Sequence, residues 1–70
     1  MRYAIVIEEA EGSYSAFVPD LPGCVSTRAT VEESEEFMRE AIEFHLDGMR
    51  EDETPIPPGS SHVAYVEIAA

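Results

Sequence analysis

Carboxylates are the most abundant groups in this chain that could carry chemistry. The 70 residues include 15 Asp and Glu but only 4 basic side chains, all arginine, and the net charge is −11 at pH 7. A nuclease that uses two metal ions needs several convergent carboxylates, and the predicted sheet and its corner offer Glu8, Asp20 and Glu67. No spacing supports their convergence, so a small metal-dependent nuclease is kept only as an alternative function.

Histidine and cysteine are the other candidates for catalysis or metal binding. His45 falls on the apolar face of a predicted helix, where a histidine is usually a core residue, and His62 has no identifiable partner. Cys24 has no neighbouring base or positive charge to lower its pKa, which a nucleophilic cysteine needs. We expect Cys24 to be a small buried side chain, and the chain to have no catalytic residue, no metal site and no cofactor.

The excess of acidic over basic residues restricts which partners the chain can bind. Binding to nucleic acid depends on Lys and Arg that displace counterions, so a chain of net charge −11 should not bind it directly. An anionic membrane surface is disfavoured for the same reason, whereas a basic protein would be attracted. There is no signal peptide and no apolar run of membrane-spanning length, and a lone cysteine fits a reducing compartment. We therefore expect a cytoplasmic protein.

The elements that position these groups follow from periodicity. Alternating apolar residues predict strands over 2–8, 14–18 and 24–28, and the short connections between them require an antiparallel meander. Helical periodicity covers residues 31–50, and alternation returns over 61–69 after a proline-rich connection. The prediction is a single α+β domain over 1–70 in the order β-β-β-α-β.

The helix has two distinct faces and a clear start. Thr30 and Glu33 have the spacing of a capping box, which marks the N-terminus. One face is mainly apolar: Ser34, Phe37, Met38, Ala41, Ile42, His45 and Met49. The opposite face carries an acidic stripe: Glu33, Glu36, Glu40, Glu43 and Asp47. Such a stripe is by default a solvated face, and its alternative role is to bind a basic protein; Phe44 and Leu46 flank the apolar face, and one of them could meet a second subunit.

A corner joins the second and third strands. Pro22 suits the second position of a type II turn and Gly23 the positive φ of the third. Asp20 is the polar residue in this corner, and we expect it to cap the turn by accepting hydrogen bonds from nearby backbone N–H groups. The structural motif comprises Pro19, Asp20, Pro22, Gly23, Cys24, Thr30 and Glu33.

The length of the chain favours self-association. A chain this short buries only about 60% of its unfolded surface and usually needs extra stabilisation. One cysteine cannot form a disulfide within the monomer, and the last strand is apolar on both faces. A single helix also leaves one face of the sheet open. We expect a homo-oligomer, either a dimer or a tetramer.

Four segments together resemble one family. They are Tyr3, Glu11-Gly12-Ser13-Tyr14, Pro19-Asp20-Leu21-Pro22-Gly23-Cys24 and Ala29-Thr30-Val31-Glu32-Glu33-Ser34. This succession, which spans nearly the whole chain, resembles the HicB-like antitoxins, the small partners of HicA-type RNA-cleaving toxins. The resemblance implies a partial ribonuclease H fold and oligomers of two or more subunits.

The resemblance also implies a function. HicB-like proteins neutralise basic RNA-binding toxins by covering them, and the acidic stripe is chemically suited to that task. Arg28 and Ser34 stand where glycine and alanine are usual in the family. The printed chain ends at Ala70, directly after the predicted last strand, so we do not expect an operator-binding segment. An orphan member with another partner is a further alternative.

Overall fold

Three short strands form the antiparallel meander that the alternation predicts. The structure is a computed structural model that describes residues 1–69, so Ala70, the last residue of the predicted domain, lies outside the described residues. Strand β1 covers Val6–Ala10, β2 covers Ser13–Phe17 and β3 covers Val25–Arg28. They pair in the order β1-β2-β3, which confirms the meander.

The first strand lies further along the chain than its alternation indicates. It was predicted over residues 2–8 but pairs with β2 only from Val6 to Ala10. The second strand ends at Phe17. The N–H of the next residue, Val18, donates to the carbonyl of Cys24 at 3.2 Å, and Pro19 has no N–H to donate. The antiparallel ladder between β1 and β2 therefore ends at the pair of Val6 and Phe17.

The corner between β2 and β3 has the expected turn. The Cys24 N–H donates to the carbonyl of Leu21 at 3.2 Å, and Gly23 has a φ of +87°. This is the hydrogen bond and the positive φ of a type II turn with Pro22 and Gly23 in its centre. The corner places the side chain of Leu21 in the core, where it is only 1% exposed.

Helix α1 covers Val31–Glu51, close to the predicted range of 31–50. Thr30 is its N-cap, and the Thr30 hydroxyl accepts the N–H of Glu33 at 3.0 Å. Half of the predicted capping box is thus present; the return bond from the Thr30 N–H to the Glu33 carboxylate is absent from the described hydrogen bonds. Acidic residues in the first turn and Arg50 in the last complement the helix dipole.

The core lies where α1 packs across β2 and β3. Met38 is fully buried, as the apolar helix face predicts. Leu46 is 6% exposed and belongs to the core, whereas Phe44 is 81% exposed. The two residues that were expected to flank the apolar face therefore differ sharply in their exposure to solvent. The buried apolar residues are Ala16, Val18, Leu21, Cys24, Met38 and Leu46.

The single chain does not form the predicted final strand. No helix or strand is present over residues 54–69, and residues 61–69 are exposed. A strand needs a hydrogen-bonded neighbour, and the backbone–backbone hydrogen bonds of the described residues do not reach 62–69. Gly59 passes close to the N-terminal segment, because a Cβ placed on it would clash with the Arg2 carbonyl oxygen.

The open face of the sheet carries a row of apolar side chains. Val6, Phe17 and Val25 are paired across the three strands. Phe17 is 37% exposed and Val25 is 65% exposed. The next positions on this face, Glu8 and Ser15, are polar, so the apolar row is narrow.

Replacement of Ser34 by alanine should stabilise the protein. Ser34 is completely buried, and its hydroxyl has no hydrogen-bond partner among the described residues. An unsatisfied buried hydroxyl costs about 1–3 kcal/mol, and alanine also has the higher helix propensity. We expect the free energy of unfolding to rise by about 1 kcal/mol, measured by urea denaturation. A loss of stability would show that the hydroxyl is satisfied in solution.

Two glycine substitutions should have opposite effects on stability. Gly59→Ala places a methyl group against the Arg2 backbone, and overpacking of this kind costs about 1–3 kcal/mol. Gly48 lies within α1, and a methyl group added there would point into open space. Gly48→Ala should therefore stabilise the helix by about 0.5–1 kcal/mol. Urea denaturation of both variants checks this pair. Equal stability of the two would mean that residues 57–61 do not pack on the N-terminal segment.

Candidate functional site

The acidic stripe lies on the side of α1 that faces away from the sheet. The opposite helix face buries Ser34, Met38 and Leu46 against β2 and β3, and this packing fixes the rotation of the helix. The stripe was predicted from spacing alone, and the structure brings its members to one exposed surface. All five are exposed: Glu33, Glu36, Glu40, Glu43 and Asp47.

One end of the stripe is compensated by a positive charge. The Arg50 guanidinium lies 2.9 Å from the Asp47 carboxylate, and both side chains are more than half exposed. Such a surface pair stabilises a fold by only ~0–1 kcal/mol. Within residues 1–69 this is the one ion pair, so Glu36, Glu40 and Glu43 are not ion-paired there, although Arg39 occupies a neighbouring helix position to Glu36 and to Glu43.

These carboxylates repel one another along the helix, and Arg39, three residues after Glu36 and four before Glu43, offsets part of the repulsion. Glu36 and Glu40 are four residues apart, and Glu40 and Glu43 are three apart, the spacings at which helix side chains are neighbours. Each like-charged pair costs about 0.2–0.5 kcal/mol in a helix. The three glutamates therefore form a local negative surface that the fold itself does not use.

Asp20 connects the corner to the distant C-terminal segment. Its carboxylate accepts the Ser61 N–H at 3.1 Å, the Ser61 hydroxyl at 3.0 Å and the Ser60 hydroxyl at 3.3 Å. We expected Asp20 to cap its own turn, but the N–H of Ser61, 41 residues away, is the donor. That N–H is the main reason why the pKa of Asp20 lies below its ordinary value; burial opposes the shift, and the two serine hydroxyls add to it.

The cysteine and the two histidines differ in burial. Cys24 is 6% exposed, which confirms the prediction of a small buried side chain, and burial raises the pKa of its thiol. A protonated, buried thiol is a poor nucleophile. His45 is half-buried on the inner side of α1, and His62 is exposed after Ser61.

The acids considered for a metal site do not converge. Asp20 is occupied by the two serines, while Glu8 and Glu67 are exposed. In the part of the chain that the structure describes, no three His, Cys, Asp or Glu side chains converge as metal ligands. Over the same residues, no helix combines the length and the apolar character needed to cross a lipid bilayer.

Two side-chain contacts in the structure could not be inferred from the sequence. The bond between Asp20 and Ser61 joins residues far apart, and neither residue type is unusual in a loop. The Arg28 guanidinium lies 3.6 Å from the centre of the Phe37 ring, a cation–π contact between β3 and α1. Arg28 was noted only as a departure from a family pattern, and this contact accounts for a basic residue at that position.

Comparison with known sequences identifies the family. Residues 3–69 match the family model described as the HicB-like antitoxin of bacterial toxin–antitoxin system. The matched region contains the whole meander, the corner and the helix. The chain belongs to the HicB-like antitoxin family.

Several relatives support this assignment. A UPF0150 protein of Helicobacter pylori is 43% identical over 65 residues, which cover 91% of this chain and 90% of the relative. A UPF0150 protein of Synechocystis is 38% identical over 57 residues, or 80% of this chain and 72% of the relative. An uncharacterized 14.9 kDa protein of Haemophilus phage HP1 is 39% identical over 66 residues, which are 94% of this chain but only 50% of the relative. No solved structure matches the chain significantly.

Neutralisation of Asp20 should reveal a pH-dependent contribution to stability. The pKa of Asp20 is lowered in the folded state, so the ionised form stabilises the fold above the ordinary value of 3.8, and this contribution is lost as the pH falls through the folded pKa. Asp20→Asn should therefore melt below the wild type at pH 7, and the difference should shrink below about pH 4.

A control variant separates the effect of losing the Asp20 carboxylate from the effect of changing the net charge. Asp52→Asn removes the same charge at the exposed C-cap of α1, where the backbone N–H makes the capping bonds. Thermal melts of the two variants and the wild type between pH 3 and 7 provide the measurement. A gap for Asp20→Asn that stays constant over this range would rule out an ionised carboxylate at the Ser61 N–H.

Proposed function

We propose that this chain is an antitoxin that neutralises a basic, HicA-like RNA-cleaving toxin by binding it through the acidic stripe of α1. Membership of the HicB-like antitoxin family supports the role of an antitoxin. The net charge of −11 supports a basic partner, because a chain of this charge attracts cationic surfaces over distances beyond direct contact. The chain would act by covering the RNA-binding surface of its partner and not by catalysis.

The observation that carries this proposal is the set of carboxylates Glu36, Glu40 and Glu43, which form no ion pair within residues 1–69. They are exposed, they lie on one side of a rigid helix, and they repel one another in the free protein. A basic partner would relieve this repulsion on binding. It would also give the carboxylates Arg or Lys partners whose charge-assisted hydrogen bonds are stronger than neutral ones.

The location of the stripe suits rapid association. Charged groups around an interface act mainly on the rate of encounter, and steering can raise that rate by about 10–10³-fold at low salt. A toxin that cleaves RNA must be captured quickly after synthesis, so a fast association rate is the property that this surface would supply. The RNA target of such a toxin also supports a cytoplasmic location for the proposed function.

Charge reversal on the stripe should slow the association with a toxin. We compare Glu36→Lys, Glu40→Lys and Glu43→Lys in one variant with a control that reverses Glu8, Glu11 and Glu51. Both variants change the net charge equally, and all six residues are exposed. The probe is a short basic HicA-like protein, with association rates measured by stopped flow at low and high salt.

The two variants should differ most at low salt. We expect the stripe variant to associate about tenfold more slowly than the control, and the difference should shrink as salt screens the charges. A second readout is cleavage of total RNA by the probe, which the wild type should stop at equimolar amounts. Equal rates for both variants at low salt would show that the stripe is only a solvated face; a probe that the wild type does not inhibit would contradict the antitoxin proposal.

A further inference from the structure

An open groove lies between one flank of α1 and the outer side of β3. Its volume is about 470 Å³, and its lining includes Val25, Phe37, Glu40, Ala41 and Phe44. Phe44 is 81% exposed, so its aromatic ring contributes little to the core. The ring is therefore free to contact a molecule that enters the groove.

The backbone of β3 borders this groove with groups that no strand pairs. The sheet order is β1-β2-β3, so the outer edge of β3 has no neighbouring strand among residues 1–69. Val18 and Cys24 continue the register of β2 and β3, and the Val18 N–H donates to the Cys24 carbonyl. Because the backbone groups of successive strand residues point to opposite sides, those of Val25 and Thr27 point away from β2.

Arg28 covers one end of this edge. Its guanidinium donates to the Thr27 carbonyl at 2.7 Å and lies 3.6 Å from the centre of the Phe37 ring. A charged side chain at a sheet edge hinders pairing with other strands. Val25 and Thr27 are exposed, and the N–H and C=O of Val25 and the N–H of Thr27 are left for a strand that approaches along the groove.

We propose that the outer edge of β3 binds an extended segment of a basic partner, which adds a fourth strand to the sheet. Backbone hydrogen bonds to Val25 and Thr27 hold the segment, and its side chains alternate between the groove and the open face of the sheet. The inference rests on the proposed function, because it names the structural element through which the basic toxin contacts this chain. It adds backbone pairing to the attraction of the acidic stripe.

The groove and the open face determine which side chains the segment carries. A side chain on the groove side meets Phe44 and Glu40, and the Glu40 carboxylate has no ion pair within residues 1–69. An arginine fits both, because its stem and guanidinium pack on an aromatic ring while its charge reaches a carboxylate. Side chains on the other side extend the apolar row of Val6, Phe17 and Val25. The segment therefore alternates basic and apolar residues.

This composition argues against a second copy of the chain as the occupant of the edge. The chain has four basic residues, and no two of them stand two positions apart, as an alternating basic strand requires. A copy of net charge −11 is also repelled by the carboxylates beside the groove. A basic partner is attracted by the same carboxylates.

A synthetic peptide tests the docking edge without a toxin. The probe is Arg-Val-Arg-Val-Arg-Val-Arg, and the control is the same peptide with its backbone amides N-methylated, which keeps every side chain but cannot pair as a strand. Fluorescence anisotropy gives the dissociation constants, and we expect N-methylation to raise the constant by about tenfold or more. The unmodified peptide should also slow hydrogen exchange of the Val25 and Thr27 amides, whereas the Ser26 amide, which faces β2, should not change.

Three substitutions locate the peptide on the chain. Phe44→Ser should raise the dissociation constant of the peptide by about tenfold. Tyr65→Ser removes another exposed aromatic ring, beside β1, and should leave the constant unchanged. Arg28→Ala should lower it about threefold, because the Thr27 carbonyl becomes free and a like charge is removed. Circular dichroism confirms that the variants are folded, and a loss of affinity in Arg28→Ala would contradict the proposed edge.

The HicA-like protein separates this inference from the proposed function. Phe44→Ser should speed its dissociation from the chain, whereas charge reversal on the stripe slows its association. An unchanged dissociation rate, with a toxin that the wild type inhibits, would overturn the inference and leave the proposed function standing. Peptide binding at Val25 and Thr27, with a toxin that the wild type does not inhibit, would contradict the proposed function and still support the docking edge.

Two further outcomes would overturn the inference. Equal binding of the N-methylated and the unmodified peptide would show that the attraction is one of charge alone. Slow exchange of the Val25 and Thr27 amides in the peptide-free chain, appearing only as its concentration rises, would assign the edge to a second copy.

Discussion

The packing of α1 across β2 and β3 determines where every other surface of this protein lies. Met38 is fully buried between the helix and the sheet, and the corner adds Leu21 from below. Burial of side chains of this size stabilises a fold by about 1.5–3 kcal/mol each. In a chain with so few buried residues, this contact fixes the rotation of the helix and therefore the direction in which its carboxylates point.

The same arrangement separates two kinds of surface. The outer face of α1 collects negative charge, while the C-terminal segment collects exposed apolar side chains and almost no charge. Charges act at a distance and are screened by salt, whereas apolar contacts act only on close approach. The two surfaces therefore differ in the kind of contact that they can make.

Local patterns predicted most of the fold, and contacts between distant residues account for the rest. The meander, the N-cap at Thr30 and the outward stripe follow from periodicity and turn chemistry that act over a few residues. Periodicity could not decide between Phe44 and Leu46, because both border the apolar face and the tilt of the helix on the sheet selects Leu46. The final strand was expected from its alternation, but alternation describes side chains and does not supply the neighbouring backbone that a strand requires. Asp20 was assigned to its own turn because its true donors lie 40 and 41 residues away.

The hydrogen bonds between Asp20 and Ser61 also bear on the order in which parts of the chain fold. The meander and the helix form contacts between residues that are close along the chain, and such contacts need little loop closure. The bonds from Ser61 to Asp20 and from Tyr3 to Pro57 close loops of 41 and 54 residues. Because the entropy of loop closure must be overcome before such contacts form, the C-terminal segment docks after the core has assembled. A ribosome-bound chain thus completes its acidic helix before its apolar end is anchored.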